Sequence, residues 1–307
     1  MTRQWLTVVK RSVKVVISSF FFLAAATAER FRKMMGSPAP ATYVVLYYHA
    51  VPTQTRDRFA RQMDKLVRLA TPIPADTSRQ LEPGKPYAAV TFDDGLLSVI
   101  ENAVPALVSR NIPATVFVVA GRLGYDQNWA VFDLEYDKSD RLGTIEELKS
   151  LPAALITIGS HTMSHPVLPA LSHEAAGEEL ICSRETLQRL FGRDIDLFSF
   201  PYGAFNDSLI GMCRSAGYRR VFTTLPLRAH LDPNEFVTGR VSTDPTDWDI
   251  EFRLKLSGAY SWVPWASALK RRLWGRFSGN SLENALSRQQ AGTDQVLPSA
   301  GLEPPRR

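Results

Sequence analysis

The sequence predicts an α/β domain whose parallel strands close in barrel fashion, and three observations carry that prediction. Apolar, β-rich runs alternate with helix-period stretches from residue 43 to about 250. There are about seven such strand–helix pairs, enough to close a sheet on itself. Residues 114–119 (ATVFVV) form a nearly continuous apolar run, as in a strand covered on both faces.

The elements follow in order. Residues 43–48 read as a buried strand that ends in His49. Phe59, Met63 and Leu66 recur at helical spacing over 57–70, and Pro72 and Pro74 stop that helix. The strand 88–92 runs into Asp93-Asp94-Gly95. A helix over 96–110, the strand 114–119 and an aperiodic loop over 121–143 come next; long loops in compact domains often border sites. Thr144 is an N-cap for a helix over 145–151, with Glu147 three residues on. The strand 155–158 ends at Gly159. A helix over 172–191 closes at Gly192, and the strand 195–200 ends in Pro201-Tyr202-Gly203. Asn206 opens a helix to Ala216, with Gly217 behind it. Strands 220–224 and 235–241 and a helix over 249–262 complete the domain.

Residues 1–36 are expected to lie outside the fold. Arg3, Lys10, Arg11 and Lys14 precede an uncharged run from Val15 to Ala28, and Ala26-Thr27-Ala28 has the form of a signal-peptidase site. The run is short for a membrane span, and Arg30, Arg32 and Lys33 beyond it oppose export. A cleaved signal, a retained anchor and an interfacial amphipathic helix stay open. All three place the protein at or beyond a membrane, so membrane association through the N-terminus and a bacterial cell-envelope location are expected; a cytosolic protein with an apolar N-terminus is the alternative. The folded domain is expected over 37–262, behind a linker with Pro38 and Pro40. A basic, disordered tail is expected over 263–307. There Lys270, Arg271, Arg272 and Arg276 interleave with Trp265 and Trp274.

The formal charge of +5 comes from basic residues crowded at the two ends, which argues against a nucleic-acid partner. Two cysteines, Cys182 and Cys213, make no disulfide framework and read as small buried residues.

In barrels of this kind the site forms at the carboxyl ends of the strands. His49, Asp93, Asp94, His161 and Tyr202 all follow strand ends, so they converge. Adjacent carboxylates are costly unless positive charge sits beside them. A divalent metal is the simplest remedy, and His161 and His165 are spaced as its partners. Taken alone, Asp93-Asp94 also reads as a helix N-cap with an acid in the first turn, and the two histidines as polar turn residues.

Three stretches together resemble the motifs of the NodB-like polysaccharide deacetylases, carbohydrate esterase family 4, in their usual order. They are Thr91-Phe92-Asp93-Asp94-Gly95, Ser160-His161-Thr162-Met163-Ser164-His165-Pro166 and Phe198-Ser199-Phe200-Pro201-Tyr202-Gly203. The resemblance covers about residues 43–250. It implies a distorted (β/α)7-type barrel and a divalent metal, usually zinc, held by Asp94, His161 and His165. It makes Asp93 the base and gives Tyr202 an oxyanion-stabilising backbone N–H. The family's late Leu-x-His motif is missing, since no histidine follows His230. His49 instead resembles the early histidine of the circularly permuted PgaB and IcaB subgroup, which implies that it protonates the leaving amine. Ser199 stands where the third motif usually begins with an arginine that orients the aspartate. Arg240 and Asp244 are the candidates to replace it. His173 and His230 match no motif.

The expected activity is metal-dependent removal of N-acetyl groups from amino sugars of an envelope or extracellular polysaccharide. O-acetyl ester hydrolysis, hydrolysis of a non-sugar amide and a non-catalytic glycan- or membrane-binding role are the alternatives.

Overall fold

The computed structural model describes residues 3–37, 40–127, 140–226 and 235–266. His230 and the basic run after residue 267 lie outside these residues, as do Trp129, Asp133 and Asp137 of the expected loop.

The chain opens with α1 (Arg3–Met34), followed by β1 (Thr42–Tyr48) and α2 (Arg56–Leu69). A two-residue strand β2 (Thr71–Pro72) leads to β3 (Pro86–Phe92), α3 (Val104–Val108), β4 (Ala114–Val118) and α4 (Ile145–Lys149). Then come β5 (Ile156–Ser160), α5 (His173–Phe191), β6 (Leu197–Ser199), α6 (Asp207–Ser215) and β7 (Arg220–Thr223). The domain ends with β8 (Val237–Gly239), β9 (Val241–Ser242) and α7 (Asp249–Leu256).

Every strand pairing is parallel, in the order β8-β7-β6-β5-β4-β3-β1-β9, with β2 beside the start of β3. The two ends of that order are one stretch of chain. Val237–Gly239 pairs with β7, and after a single residue, Arg240, Val241–Ser242 pairs with β1. Residues 237–242 therefore bridge the seam of a distorted seven-stranded barrel, which agrees with the predicted fold. The β5–β6 contact is a single register pair, Ser160 with Phe198, so this is where the cylinder is weakest.

Period-two alternation divides the strand residues between two cores. Tyr43, Val45, Tyr87, Ala89, Phe117, Leu197 and Phe222 share one cluster, which fills the barrel. Val44, Leu46, Tyr48, Val90, Phe92 and Val116 belong to a second, larger cluster with the helices. Because both faces are covered, the strands read as continuous apolar runs in the sequence.

The helix ends follow their capping residues. Thr144 and Glu147 form the predicted capping box, and Ser172 and Asn206 cap α5 and α6. Gly192 ends α5 at φ 64°. The helix expected over 96–110 is present from Leu97 to Val108, with its middle widened. Leu96 bridges to Leu142, and the chain passes through a wide π turn at Val99–Ala103 before α3. Pro105 has no N–H to give to the preceding turn, which favours such a widening. Cys213 is buried as predicted, whereas Cys182 is exposed on α5.

The N-terminal segment departs from expectation, because α1 packs on the domain. Arg11 pairs with Glu251 of α7, donates to the Thr246 carbonyl at 2.8 Å and lies 4.6 Å from the centroid of the Trp248 ring. Ser18 is fully buried and accepts from Trp262 Nε1 at 2.9 Å. Among the described residues no helix is long and apolar enough to cross a membrane.

Gly95 is a close approach between fold and site. It adopts φ +73°, and a Cβ there would stand 2.7 Å from Val118 Cγ1. Gly95→Ala is expected to lower unfolding free energy by about 1–3 kcal/mol. Denaturant titration against wild type measures it.

Candidate active site

The carboxyl ends of β1, β3, β5 and β6 deliver the predicted residues to one place. Asp93 follows β3, and its N–H donates to the Tyr48 carbonyl at 3.0 Å. Asp94 and Gly95 both take left-handed backbone angles, φ 70° and 73°. Asp94 Oδ1 lies 3.5 Å from His161 Nε2 and 3.3 Å from His165 Nε2, and all three side chains are buried. His161 Nδ1 is 2.8 Å from the Ser199 carbonyl. That contact makes Nδ1 the protonated nitrogen and leaves the Nε2 lone pair facing Asp94.

The loop carrying the histidines is held under strain. Thr162 and His165 adopt φ 70° and 65°, unusual for any non-glycine and most of all for a β-branched residue. Thr162 Oγ1 donates to the His161 carbonyl and accepts from the His165 N–H. Glu179 of α5 accepts from the N–H groups of Met163 and Ser164 at 2.8 and 3.0 Å and from the Ser164 hydroxyl at 2.6 Å. Nothing in the local sequence pairs Glu179 with this loop; only the packing of α5 brings it there.

These donors fit a divalent cation. Asp94 Oδ1 is buried without a hydrogen-bond donor, an arrangement that is costly unless a cation meets it. One oxygen and two imidazole nitrogens within 4.8 Å of one another form the cluster. Ligands about 2.0–2.1 Å from a tetrahedral zinc lie roughly 3.4 Å apart, which the 3.3 and 3.5 Å separations match. The donor set suits zinc chemically, and other divalent ions that accept nitrogen and oxygen remain compatible with it.

Asp93 stays outside this cluster because Arg240 holds it. The guanidinium engages both carboxylate oxygens, Nη1 to Oδ1 at 2.7 Å and Nη2 to Oδ2 at 2.8 Å. It also donates to Ser199 Oγ at 2.7 Å, Thr91 Oγ1 at 3.2 Å and the Thr223 carbonyl at 3.3 Å. Its plane sits among aromatic rings, 4.7 Å from Tyr47 and 5.4 Å from Phe117. Arg240 thus takes the orienting position left open by Ser199, and the small serine leaves room for it. Asp244 Oδ1 closes a local turn with the N–H and hydroxyl of Thr246.

The charges follow from these contacts. Burial pushes the Asp93 carboxyl up, but Arg240 foremost, with His161 and His49, outweighs it and holds the group below its usual range. Burial acts the same way on Asp94, where His165, His49 and His161 hold the carboxyl well down. Burial drives His161 from its ordinary 6.5 to about 4, which keeps it neutral as a ligand must be.

His49 is half-buried just past β1, its ring edge-on to Tyr47 at 5.7 Å, near enough to act on both aspartates. Tyr202 has φ 58° and lays its ring 4.6 Å from that of His165, walling the cluster. Gly203 behind it also has positive φ, and a Cβ there would strike Thr224. Gln127 reaches Asp94 Oδ2 at 3.4 Å from the long loop. His173 lies exposed at the start of α5, away from the cluster.

Residues 80–221 match the family model for polysaccharide deacetylase. The chain carries a polysaccharide deacetylase domain. That domain is similar in structure to IcaB from Ammonifex degensii, with a TM-score of 0.60 and 28% identity over 71% of this chain and 98% of that one. It is 24% identical over 217 residues to Bacillus subtilis YxkH, named for the same family, covering 67% of this chain and 73% of that protein. A Staphylococcus aureus poly-beta-1,6-N-acetyl-D-glucosamine N-deacetylase is 24% identical over 156 residues, or 50% of this chain. The match spans about half of that relative's length, 52%.

Two expectations follow from the deacetylase site. Arg240→Met strands a buried carboxylate and is expected to cost about 3–5 kcal/mol of stability. The double variant Asp93→Asn/Arg240→Met should lose less than the sum of its parts in a denaturant-based cycle. In metal-free protein, the unfolded chain protonates His161 near 6.5 while the folded chain refuses the proton until about 4. Stability should therefore fall as pH drops from about 6.5 toward 4. His161→Gln should flatten that slope in the same titrations.

Proposed function

We propose that this protein is a metal-dependent hydrolase that removes N-acetyl groups from amino sugars in a β-linked N-acetylglucosamine-type polymer of the cell envelope. The observation that carries the reading is the separation of the two aspartates. Asp94 lies within the histidine cluster, while Asp93 is held as a carboxylate beside it by Arg240. Binding alone would need no such second carboxylate. The IcaB-like fold and the named substrate of the Staphylococcus aureus relative support the choice of polymer.

Asp94, His161 and His165 would hold the cation. When bound, a divalent ion supplies Lewis acidity, lowering the pKa of a water and polarising the acetamide carbonyl. Asp93 would accept a proton from the attacking water as the water's oxygen bonds to the carbonyl carbon. Arg240 fixes the carboxylate's direction and keeps it ionised, so that it is ready to take the proton. The carbon–nitrogen bond then breaks, and His49 delivers a proton to the departing sugar nitrogen. Acetate and the free amine are the products. Tyr202 shields one side of the site from bulk water and presents its backbone to the developing oxyanion.

Acetate release from N-acetylglucosamine oligomers tests the proposal, with an O-acetylated glycan measured in parallel. A chelator should abolish release, and added zinc should restore it. Asp93→Asn and His49→Ala should each lower kcat by about 10²–10⁴ while metal content, measured by elemental analysis, stays at the wild-type level. Full activity in Asp93→Asn, or faster turnover of the O-acetyl substrate, would sink the assignment.

A further inference from the structure

The N-terminal helix has two faces that do different things. Its inner face belongs to the domain, through Arg11 on Glu251 and Asp247, buried Ser18 against Trp262, and Phe22 packed on the core. The side chains of Asp247 and Glu251 are almost wholly covered, 5% and 6% exposed, and besides Arg11 the cation that pairs with both is Lys255. Losing the helix would leave those two acids with a single lysine, which is costly for buried charge.

The outer face of α1 is apolar. Trp5, Val13, Val16, Phe20, Leu23 and Phe31 each leave more than half of their surface in solvent. At 100° per residue these positions fall on one side of the helix. From Trp5 to Phe31 the stripe covers most of the 32-residue helix, about 40 Å at about 1.5 Å per residue. Apolar exposure of this extent on a folded domain marks an interaction surface.

Charge identifies what covers it. The helix holds seven basic side chains and one acid, Glu29, so it carries more than the whole chain's net +5. The rest of the protein, taken alone, is slightly negative. Lys10 and Arg30 project on opposite flanks of the stripe, where long cationic side chains can reach lipid phosphates while the apolar residues sink below them. A second copy of the chain is the poorer occupant, because face-to-face pairing would bring two strongly positive helices together. Length disfavours a spanning helix. The uncharged stretch from Val15 to Ala28 is 14 residues, about 21 Å of helix against a hydrocarbon core of about 30 Å.

We propose that α1 is retained in the working protein and lies flat in the interface of an anionic membrane, its outer stripe among the acyl chains and its inner face clasping the deacetylase domain. The surface would take phospholipid with anionic headgroups.

Flotation of the full chain with phospholipid vesicles tests this. Vesicles of phosphatidylcholine mixed with phosphatidylglycerol should carry the protein at least about tenfold more strongly than phosphatidylcholine alone, and salt should weaken the difference. Phe20→Asp/Leu23→Asp should cut binding by at least about tenfold with an unchanged melting temperature, since both side chains already face water. Lys10→Glu/Arg30→Glu, which spares the apolar stripe, should erase the preference for phosphatidylglycerol. Equal flotation of wild type and both variants would overturn the proposal, as would no flotation at all. Resistance to alkaline carbonate would indicate a spanning helix instead. A wild-type dimer in lipid-free buffer that Phe20→Asp/Leu23→Asp converts to monomer, without change in flotation, would assign the stripe to self-association and overturn it too.

Discussion

The buried pair between Arg240 and Asp93 is the interaction on which fold and site both depend. Arg240 has no solvent exposure, and Asp93 has almost none. Taking both charges out of water is expensive, and the attraction offsets that cost only with good geometry and full hydrogen bonding. Here the geometry is a two-point fork, and the remaining guanidinium protons go to Ser199, Thr91 and the Thr223 carbonyl. One side chain therefore ties together residues on or beside β3, β6 and β7. It does so from the single position between β8 and β9, where the sheet returns to β1.

Around this rigid centre the metal-ligand candidates sit on strained backbone. Four of the five non-glycine residues with positive φ among the described residues are Asp94, Thr162, His165 and Tyr202. Such angles cost of the order of 1–3 kcal/mol each and persist only where the surroundings over-determine them. Thr162 Oγ1, the Glu179 carboxylate and the close approach of Gly203 to Thr224 are the surroundings that do so. The strain turns three donors toward one point although they come from two different loops.

Much of this was legible in the residues. Buried parallel strands announce themselves as continuous apolar runs, and helix ends by Thr144, Asn206 and Gly192, because those signals are local. The five polar residues that follow strand ends were legible for the same reason: a parallel barrel sends all its carboxyl ends to one side. Three things were not. Whether Arg240 or Asp244 replaces the missing motif arginine stayed open, since spacing along the chain does not reveal which side chain points into the barrel. Glu179 carries no motif and reaches the histidine loop only through the packing of α5. The docking of α1 depends on two buried acids more than 230 residues away, a long-range pairing invisible to periodicity, so the segment read as detachable.

The position of Arg240 also has a consequence for biosynthesis. Asp93, Asp94, His161 and His165 all leave the ribosome well before residue 240. A nascent chain truncated before that point contains the whole Asp94, His161 and His165 cluster but lacks the guanidinium that grips the Asp93 carboxylate. Completion of the cylinder and fixing of the Asp93 carboxylate thus become one event in the life of the polypeptide.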